Sequence, residues 1–279
     1  MKHSGIADEA GKPIDVQIKA HQELGWNDIE IRNVDGTNLT DVSDETFEEI
    51  FSKVTDAGMS VSSFASQLCN WSRPITTDFQ VDIDELNRAI PRMQKFGTDY
   101  IRIMSYPNSK ENPWSEEEWR DEAIRRLKEL AVMAEDGGII LAHENCSGWA
   151  GQSAENSLYM IEKVDSPALK LIFDTGNTVT AEQHSFDFYS AVKEHVVHVH
   201  IKDGIKDDQG HRHTFPGQGQ GMVKEVVADL KQSGFDGAVS IEPHIAAVVH
   251  LDKDADDEET AYNAYLKYGR MLMDIAENS

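Results

Sequence analysis

Residues 196–203 read VVHVHIKD, and this short stretch indicates the fold. Valine and isoleucine occupy one parity (197, 199 and 201), and the two histidines occupy the other, which is typical of a strand with two different faces. An amphipathic stretch before it predicts a helix over Phe186–Glu194, and a second predicts a helix over Met222–Gln232. A strand between two helices is the unit from which α/β folds are built.

The same strand-and-helix unit recurs at intervals of about 30 residues along the whole chain. The predicted strands are Ser4–Asp8, Asp28–Asn33, Ser60–Ala65, Tyr100–Met104, Ile139–Asn145, Leu169–Asp174, Val196–Lys202 and Ala238–Pro243. The other predicted helices are Asp15–Leu24, Asp44–Asp56, Ile83–Phe96, Glu116–Ala134, Ala154–Lys163 and Glu259–Ile275, and glycines at 25, 58, 97, 137 and 234 are predicted to end helices. Eight units predict a single (β/α)8 barrel domain over residues 1–279. A doubly wound sheet is the weaker alternative, because no G-x-G-x-x-G turn follows the first strand.

Composition limits the classes of partner. Asp and Glu number 50 against 26 Lys and Arg, and this net charge of −24 disfavours nucleic acids and anionic membrane surfaces. Two cysteines provide neither a disulfide framework nor a cysteine-based zinc site, and no apolar run is long enough to span a membrane. We therefore expect a soluble, cytoplasmic protein. The acidic run Asp252–Glu259 is interpreted as a solvated turn or helix start rather than a metal site.

Polar side chains end the last four predicted strands. They are Glu144 in AHENC, Asp174 in LIFDTGN, His200 in VVHVHIKD and Glu242 in VSIEPH. The alternation of strand side chains places all four on the inward parity, and the carboxyl ends of barrel strands meet at one mouth. Because three buried carboxylates need a neutralising cation, we predict a divalent metal site. This oxygen-rich set favours Mn²⁺, Mg²⁺ or Co²⁺, with Zn²⁺ as a further option.

The motifs GIADEA, QELGWNDIEIR, HEN, FDTGN, HVHIKD and SIEP occur in an order that resembles the xylose isomerase-like TIM barrel superfamily. The chain is most similar to the sugar phosphate isomerase/epimerase group, which is related to ketose 3-epimerases, inosose dehydratase, hydroxypyruvate isomerase and endonuclease IV. The resemblance implies that Glu144, Asp174, His200 and Glu242 bind the metal. It also implies that Glu144 and Glu242 act as acid and base at the reacting carbon, and that the protein forms homo-oligomers.

The expected activity is isomerisation or epimerisation of a small carbohydrate, either a keto-sugar or a sugar phosphate, through an enediolate. A lyase or dehydratase on a keto-sugar or keto-inositol is the main alternative, because it shares the first proton abstraction. A hydrolase like endonuclease IV and a non-catalytic carbohydrate-binding barrel are weaker hypotheses. Three positions depart from the ketose 3-epimerase pattern, since Ala150, Asn177 and Lys206 stand where that group has Glu, His and Arg. The substrate is therefore expected to differ from a plain ketose.

Several side chains near the predicted mouth are candidates for substrate contact. They are Lys202, His198, His211, His213, Asn177, Trp149, Lys206 and His244. Their structural alternatives are an ion pair with Asp203 for Lys202, packing for His198 and Trp149, and plain exposure for the two loop histidines. The long segment 204–221, without clear periodicity, is predicted to be a functional loop.

Three further residues have open or structural interpretations. Glu30 and Arg32 share a face of the second predicted strand, where they either pair with each other or meet substrate hydroxyls. Cys146 is interpreted as structural, because no base is placed beside it.

Overall fold

A computed structural model describes residues 1–245 and 258–279. Eight parallel strands form one sheet. They are β1 (Lys2–Gly5), β2 (Asp28–Ile31), β3 (Ser60–Phe64), β4 (Tyr100–Ser105), β5 (Ile140–Gly148), β6 (Leu169–Asp174), β7 (Val196–Ile201) and β8 (Ala238–Ile241). Neighbouring strands in the chain are neighbours in the sheet, and β8 also pairs with β1.

The sheet closes on itself between its first two strands. Residues Ile6 and Glu30 form a parallel bridge that joins the end of β1 to β2. Every other junction of the ring is a parallel pairing between consecutive strands, with β8 returning to β1. The predicted (β/α)8 barrel is therefore confirmed, and the doubly wound alternative is wrong.

Helices surround the barrel. They are α1 (Ile14–Glu23), α2 (Asp44–Asp56), α3 (Gln80–Phe96), α4 (Glu116–Gly137), α5 (Ala154–Val164), α6 (Thr175–Thr180), α7 (Ser185–Val192), α8 (Val223–Ser233) and α9 (Glu258–Asn278). The start of α4 has the expected chemistry, because Ser115 and Glu118 cap each other's backbone N–H groups. Outward strand residues such as Phe173, Val199 and Ile241 are fully buried between the sheet and the helices.

Four local features differ from the prediction. The segment 204–221 is not irregular throughout, because Asp203–Asp207 and Gly210–Thr214 form an antiparallel hairpin. A short helix, α6, directly follows Asp174, and a small second hairpin pairs Asn33–Val34 with Thr37–Asn38. The fourth predicted glycine cap is Gly138 rather than Gly137, since Gly138 has φ of 65° and ends α4. Most of the acidic run Asp252–Glu259 lies outside the described residues.

Candidate metal and substrate site

Four side chains meet at the carboxyl ends of consecutive strands. One ligand atom from each of Glu144, Asp174, His200 and Glu242 lies within 4.8 Å of the others, and all four residues are buried. Asp174 is the last residue of β6, His200 is the last but one of β7, Glu242 directly follows β8, and Glu144 lies within β5. The barrel itself therefore sets their spacing. We call these four residues the ligand cluster.

The donors in the ligand cluster fit a divalent cation. Glu144 Oε2 is buried and makes no hydrogen bond within the described residues, and the nearest guanidinium nitrogen, Arg102 Nη1, is 3.6 Å away. A buried carboxylate oxygen without a donor is costly unless something positively charged reaches it. Three carboxylates and one imidazole suit a hard or borderline ion.

Asp174 is oriented by the helix that follows it. Its Oδ1 accepts the backbone N–H groups of Gly176 and Asn177 at 2.8 and 2.7 Å, which caps α6. Its Oδ2 is left facing Lys202 Nζ at 2.9 Å. Burial raises the pKa of Asp174 to about 7 despite the nearby lysine. The carboxyl group is thus fixed in direction by the backbone and kept from solvent.

His200 is oriented by a carboxylate behind it. Its Nε2 lies 3.1 Å from Glu30 Oε1, while its Nδ1 faces Glu144 Oε1 at 3.2 Å. Burial lowers the pKa of His200, but Glu30 and Glu144 outweigh it and raise that pKa well above the usual value. An imidazole held this way presents Nδ1 to the cluster when its proton sits on Nε2.

Glu30 makes contacts that the sequence did not lead us to expect. It is fully buried, contacts His198 Nε2 at 2.9 Å as well as His200, and does not line the cavity. Glu30 does not pair with Arg32, and it lies outside the lining of the cavity. The signal was present, because Glu30 lies near the end of β2 on the same inward parity as the ligand cluster.

Lys202 supplies an internal cation. Its Nζ lies 2.9 Å from Asp174 Oδ2 and 2.7 Å from Glu242 Oε2, and its side chain is almost fully buried. Burial lowers the pKa of Lys202, but the two carboxylates raise it well above the usual value. The structural alternative, an ion pair with Asp203, is not formed, since the Asp203 carboxylate accepts backbone N–H groups of Gly204, Gly219 and Gly221 instead.

A second set of charges surrounds Glu242. Arg32 Nη1 lies 3.3 Å from Glu242 Oε1, and Arg32 also pairs with Asp8 and Glu9. His244 Nδ1 lies 2.7 Å from Glu9. Burial acts to raise the pKa of Glu242, but Lys202 and His244 bring it well below its usual range.

A cavity of about 520 Å³ opens over the ligand cluster. Of the predicted contact residues it is lined by Lys202, His211, His213, Asn177 and His244. The hairpin brings the two loop histidines in, with ring centroids 4.7 Å apart and His213 a further 5.1 Å from His244. Asn177 donates to Glu144 Oε1 at 3.2 Å.

Three predicted contact residues do not line this cavity. His198 is completely buried beneath His200, where its Nε2 meets Glu30 and Ser240. The indole of Trp149 donates to Glu116 and packs edge-on against Tyr159. Lys206 pairs with Glu182 and donates to the Thr180 carbonyl. Each is held by structural partners that spacing alone does not reveal.

Two further residues of β5 lie beside Glu144, and one of them, Cys146, lines the cavity. Burial raises the pKa of the Cys146 thiol to about 12, which leaves it protonated and unreactive. His143 is fully buried on the other parity of β5, and burial lowers its pKa to about 4.

Comparison with known proteins gives a consistent picture. The family model for the xylose isomerase-like TIM barrel matches residues 18–267. An inosose dehydratase of Lacticaseibacillus casei is 21% identical over 144 residues, covering 46% of this chain and 48% of that protein. The chain thus aligns with about half the length of the curated relatives it matches.

Two solved structures extend the likeness to the entire fold. The IOLI protein with a bound zinc atom superimposes with a TM-score of 0.76 at 17% identity, covering 100% of this chain and 99% of that one. D-psicose 3-epimerase from Clostridium cellulolyticum H10 gives 0.75 at 15% identity, again covering 100% and 99%. In the described part of the chain, no helix is both long and apolar enough to cross a membrane.

Proposed function

The chain belongs to the xylose isomerase-like TIM barrel family, and from this premise we propose that it is a divalent-metal-dependent isomerase or epimerase of a keto-sugar. One observation carries the proposal: three buried carboxylates and an imidazole converge within 4.8 Å, and two of the carboxylates line one cavity. A purely structural cluster has no need to open two carboxylates, Glu144 and Glu242, onto a space of substrate size.

The chemistry follows from the positions of these side chains. A divalent cation held by the ligand cluster would polarise the substrate carbonyl and acidify the neighbouring C–H bond. Either Glu144 or Glu242 then removes the proton from that carbon, and the other carboxyl group returns one. Return to the same carbon gives an epimer, and return to the neighbouring carbon gives an isomer.

The surrounding residues hold the two carboxylates in place. Asn177 donates to Glu144, and Arg32 pairs with Glu242. Lys202, placed against Glu242 at the cavity wall, is positioned to donate a hydrogen bond to a substrate oxygen. Zinc in the IOLI protein supports Zn²⁺ beside Mn²⁺, Mg²⁺ and Co²⁺ as the ion.

Dehydration of a keto-sugar or keto-inositol is the second candidate, and the mouth of the cavity favours it specifically. Loss of water needs an acid over the leaving hydroxyl in addition to the base that removes the proton. The row of imidazoles formed by His211, His213 and His244 lies at that mouth. The likeness to an inosose dehydratase supports the same reaction.

Elemental analysis before and after chelation is the first test. We expect one tightly held divalent ion per chain in the wild type and none in His200→Ala. The exposed variant Glu49→Gln on α2 serves as a control and should keep its ion. Failure to bind any divalent ion after reloading would disprove the metal-dependent mechanism. Two or three ions per chain would favour hydrolytic chemistry instead.

Proton exchange in D₂O then identifies the reaction. We expect the loaded enzyme to place deuterium next to the carbonyl of keto-sugars and keto-inositols in a panel. An epimer or isomer as product supports the first candidate, and a product that has lost one water supports the dehydratase. A complete lack of exchange across the panel, with metal bound, would count against both.

A further inference from the structure

The cavity has two walls of different chemistry. The wall formed by β5 to β8 carries the ligand cluster and its cations. Across the ring, the segment between β3 and α3 contributes Gln67, Asn70 and Trp71. In the strand order of this barrel β3 lies four strands from β7, so this second wall faces the first. We call these three residues the amide wall.

Trp71 is unusually exposed for its size. Its relative exposure is 68%, and among the described residues the only other exposed large hydrophobic side chains are Val81 and Val132. Single exposed apolar residues are common on protein surfaces. Trp71 differs because it lines the cavity, where a bound molecule can cover its ring.

The segment that carries Trp71 is firmly held. Arg73, two residues on, pairs with Asp82 and Glu85 of α3 at 2.6 and 2.5 Å. The same two carboxylates accept the backbone N–H groups of Cys69 and Gln67 at 3.1 and 3.0 Å. We call Arg73, Asp82 and Glu85 the Arg73 cluster. Because it holds the chain on both sides of Trp71, the indole is presented at a defined place.

The amides beside Trp71 have unused hydrogen-bonding capacity. The Gln67 side chain makes no hydrogen bond within the described residues. Asn70 Oδ1 accepts from the backbone and hydroxyl of Ser72 at 2.9 and 2.7 Å, which leaves its Nδ2 without a protein acceptor. Neutral amides offer both donors and acceptors, which suits hydroxyl groups.

The cations of the cavity are already committed. Arg32 pairs with three carboxylates, Lys202 with two, and Arg102 with Glu144 and the carbonyl of Ser66. No unpaired lysine or arginine lines the cavity in the described chain. A phosphate on the part of the substrate that covers the amide wall would meet an indole and neutral amides instead of an unpaired lysine or arginine, and would face a strongly acidic protein.

We propose that the amide wall is a substrate subsite that binds the ring of an uncharged cyclic polyhydroxy compound and discriminates against its phosphate ester. The apolar C–H face of the ring covers Trp71, while Gln67 and Asn70 bond its hydroxyls. That this molecule also carries the reacting ketone rests on the proposed function. The binding itself does not.

Three probes test the subsite by titration calorimetry and tryptophan fluorescence on the full-length, metal-loaded protein. They are myo-inositol, the open-chain hexitol D-glucitol, and myo-inositol monophosphate. The first two carry the same number of hydroxyl groups with and without a ring, and in the third a charged phosphate ester replaces one hydroxyl group of myo-inositol. The variants are Trp71→Ala, Trp71→Phe and Gln67→Ala, with Val132→Ala on α4 as an exposed control outside the cavity.

We expect myo-inositol to bind more tightly than both other probes. Trp71→Ala should weaken it about tenfold, a loss typical of one stacking contact. Trp71→Phe should restore part of the affinity, Gln67→Ala should reduce it, and the control should not change it. Equal or tighter binding of the phosphate, undetectable binding of myo-inositol, or unchanged affinity in Trp71→Ala would each overturn the proposal. So would a change of oligomeric state in Trp71→Ala, because a second copy would then cover the indole.

The two proposals fail in different ways. Intact probe binding without deuterium exchange in any substrate would reject the proposed reaction and keep the subsite. Deuterium exchange with an unchanged KM in Trp71→Ala would reject the subsite and keep the reaction.

Discussion

Two groups of buried carboxylates lie on opposite sides of the same barrel mouth. The Arg73 cluster holds its carboxylates with donors that stay in place: one guanidinium, the Tyr106 hydroxyl on Asp82, and the Thr40 hydroxyl on Glu85. The ligand cluster holds its carboxylates partly with fixed donors, such as the backbone N–H groups on Asp174 and Arg32 on Glu242. The rest of its counter-charge comes from Lys202 and His200, and Glu144 Oε2 is left without a hydrogen bond. Both clusters are buried, but only the ligand cluster opens onto the cavity.

The difference shows what separates a structural ion cluster from a binding site. Burial of carboxylates is common to both. In the Arg73 cluster the donors are fixed by packing, so the cluster holds the segment between β3 and α3 in place. We predict that Lys202, His200 and the unpartnered Glu144 Oε2 allow the ligand cluster to exchange its counter-ions for a metal, and that the Arg73 cluster cannot do so.

The largest expected effect is on turnover. Glu144→Gln and Glu242→Gln should each slow deuterium exchange by about 10²–10⁴-fold, because each removes an acid or base from the reacting carbon. Thermal stability without metal should fall in both variants. Burial acts to raise the pKa of each carboxyl group, but the neighbouring cations outweigh it and lower that pKa, so each ionised carboxylate stabilises the fold. Exchange rates and melting curves on the same samples check this. Full activity in both variants would disprove the role of the two carboxylates.

The next effect is on stability. Arg73→Met should lower the free energy of unfolding by about 3–5 kcal/mol, because it leaves Asp82 and Glu85 buried without their cation. Lys202→Met should also destabilise the metal-free protein, but added divalent metal should restore it. Urea unfolding with chelator and with metal compares the two. The distinction between the clusters would be lost if metal rescued Arg73→Met or failed to rescue Lys202→Met.

A smaller effect concerns the orientation of His200. Glu30→Gln should weaken metal binding about 10–100-fold, since the carboxylate that orients the imidazole is replaced by an amide. Asp28→Asn, on the same strand but at its other end, is the matched control and should bind normally. Competition with a chelating indicator measures both. Equal affinities would mean that Glu30 serves only the packing of the barrel.

The smallest effect is on the pH dependence of stability, where two buried histidines, His21 and His200, differ in sign. His21 has neutral partners, Tyr265 and the Gln17 carbonyl, and burial lowers its pKa to about 4. The neutral His21 ring makes its full contribution to the free energy of unfolding above pH 6.5. This contribution falls as the pH drops towards 4, so the free energy of unfolding should be about 2 kcal/mol lower by pH 5. The pH dependence that His200 causes is the reverse. Its raised pKa stabilises the metal-free fold below pH 6.5, and that stabilisation is lost as the pH rises.

Urea titrations from pH 7 to pH 5 test His21. The variant His21→Phe should lose less stability over this range than the wild type. Parallel pH profiles for the two proteins would show that His21 is not the group responsible.

Local periodicity explains how much of the fold and of the candidate site could be predicted from the sequence. The ligand cluster was predictable because a strand alternates its faces and barrel strands end at one mouth, so Glu144, Asp174, His200 and Glu242 follow from short motifs. Their metal and catalytic roles stay predictions. The partner of Glu30 was not predictable, because it depends on how β2 and β7 approach each other across the closed ring.

Contacts between distant segments account for the rest. The Arg73 cluster joins a loop, a helix and two further loops, and no spacing rule connects Arg73 to Glu85 or Tyr106. Helix α6 has too few residues for a helical period to show, and the histidine-bearing hairpin lacks the usual apolar alternation. Trp149 points away from the cavity because Glu116 and Tyr159 hold its ring.

The histidine-bearing hairpin makes the mouth sensitive to chain length. His211 pairs with Lys206, and His213 pairs with Gly204, so the two imidazoles share a face while Arg212 points the other way, towards Asp207. Inserting one residue before His211, with the pairing otherwise kept, would turn Arg212 inwards and both imidazoles outwards. A single inserted codon would thus place a guanidinium over the ligand cluster.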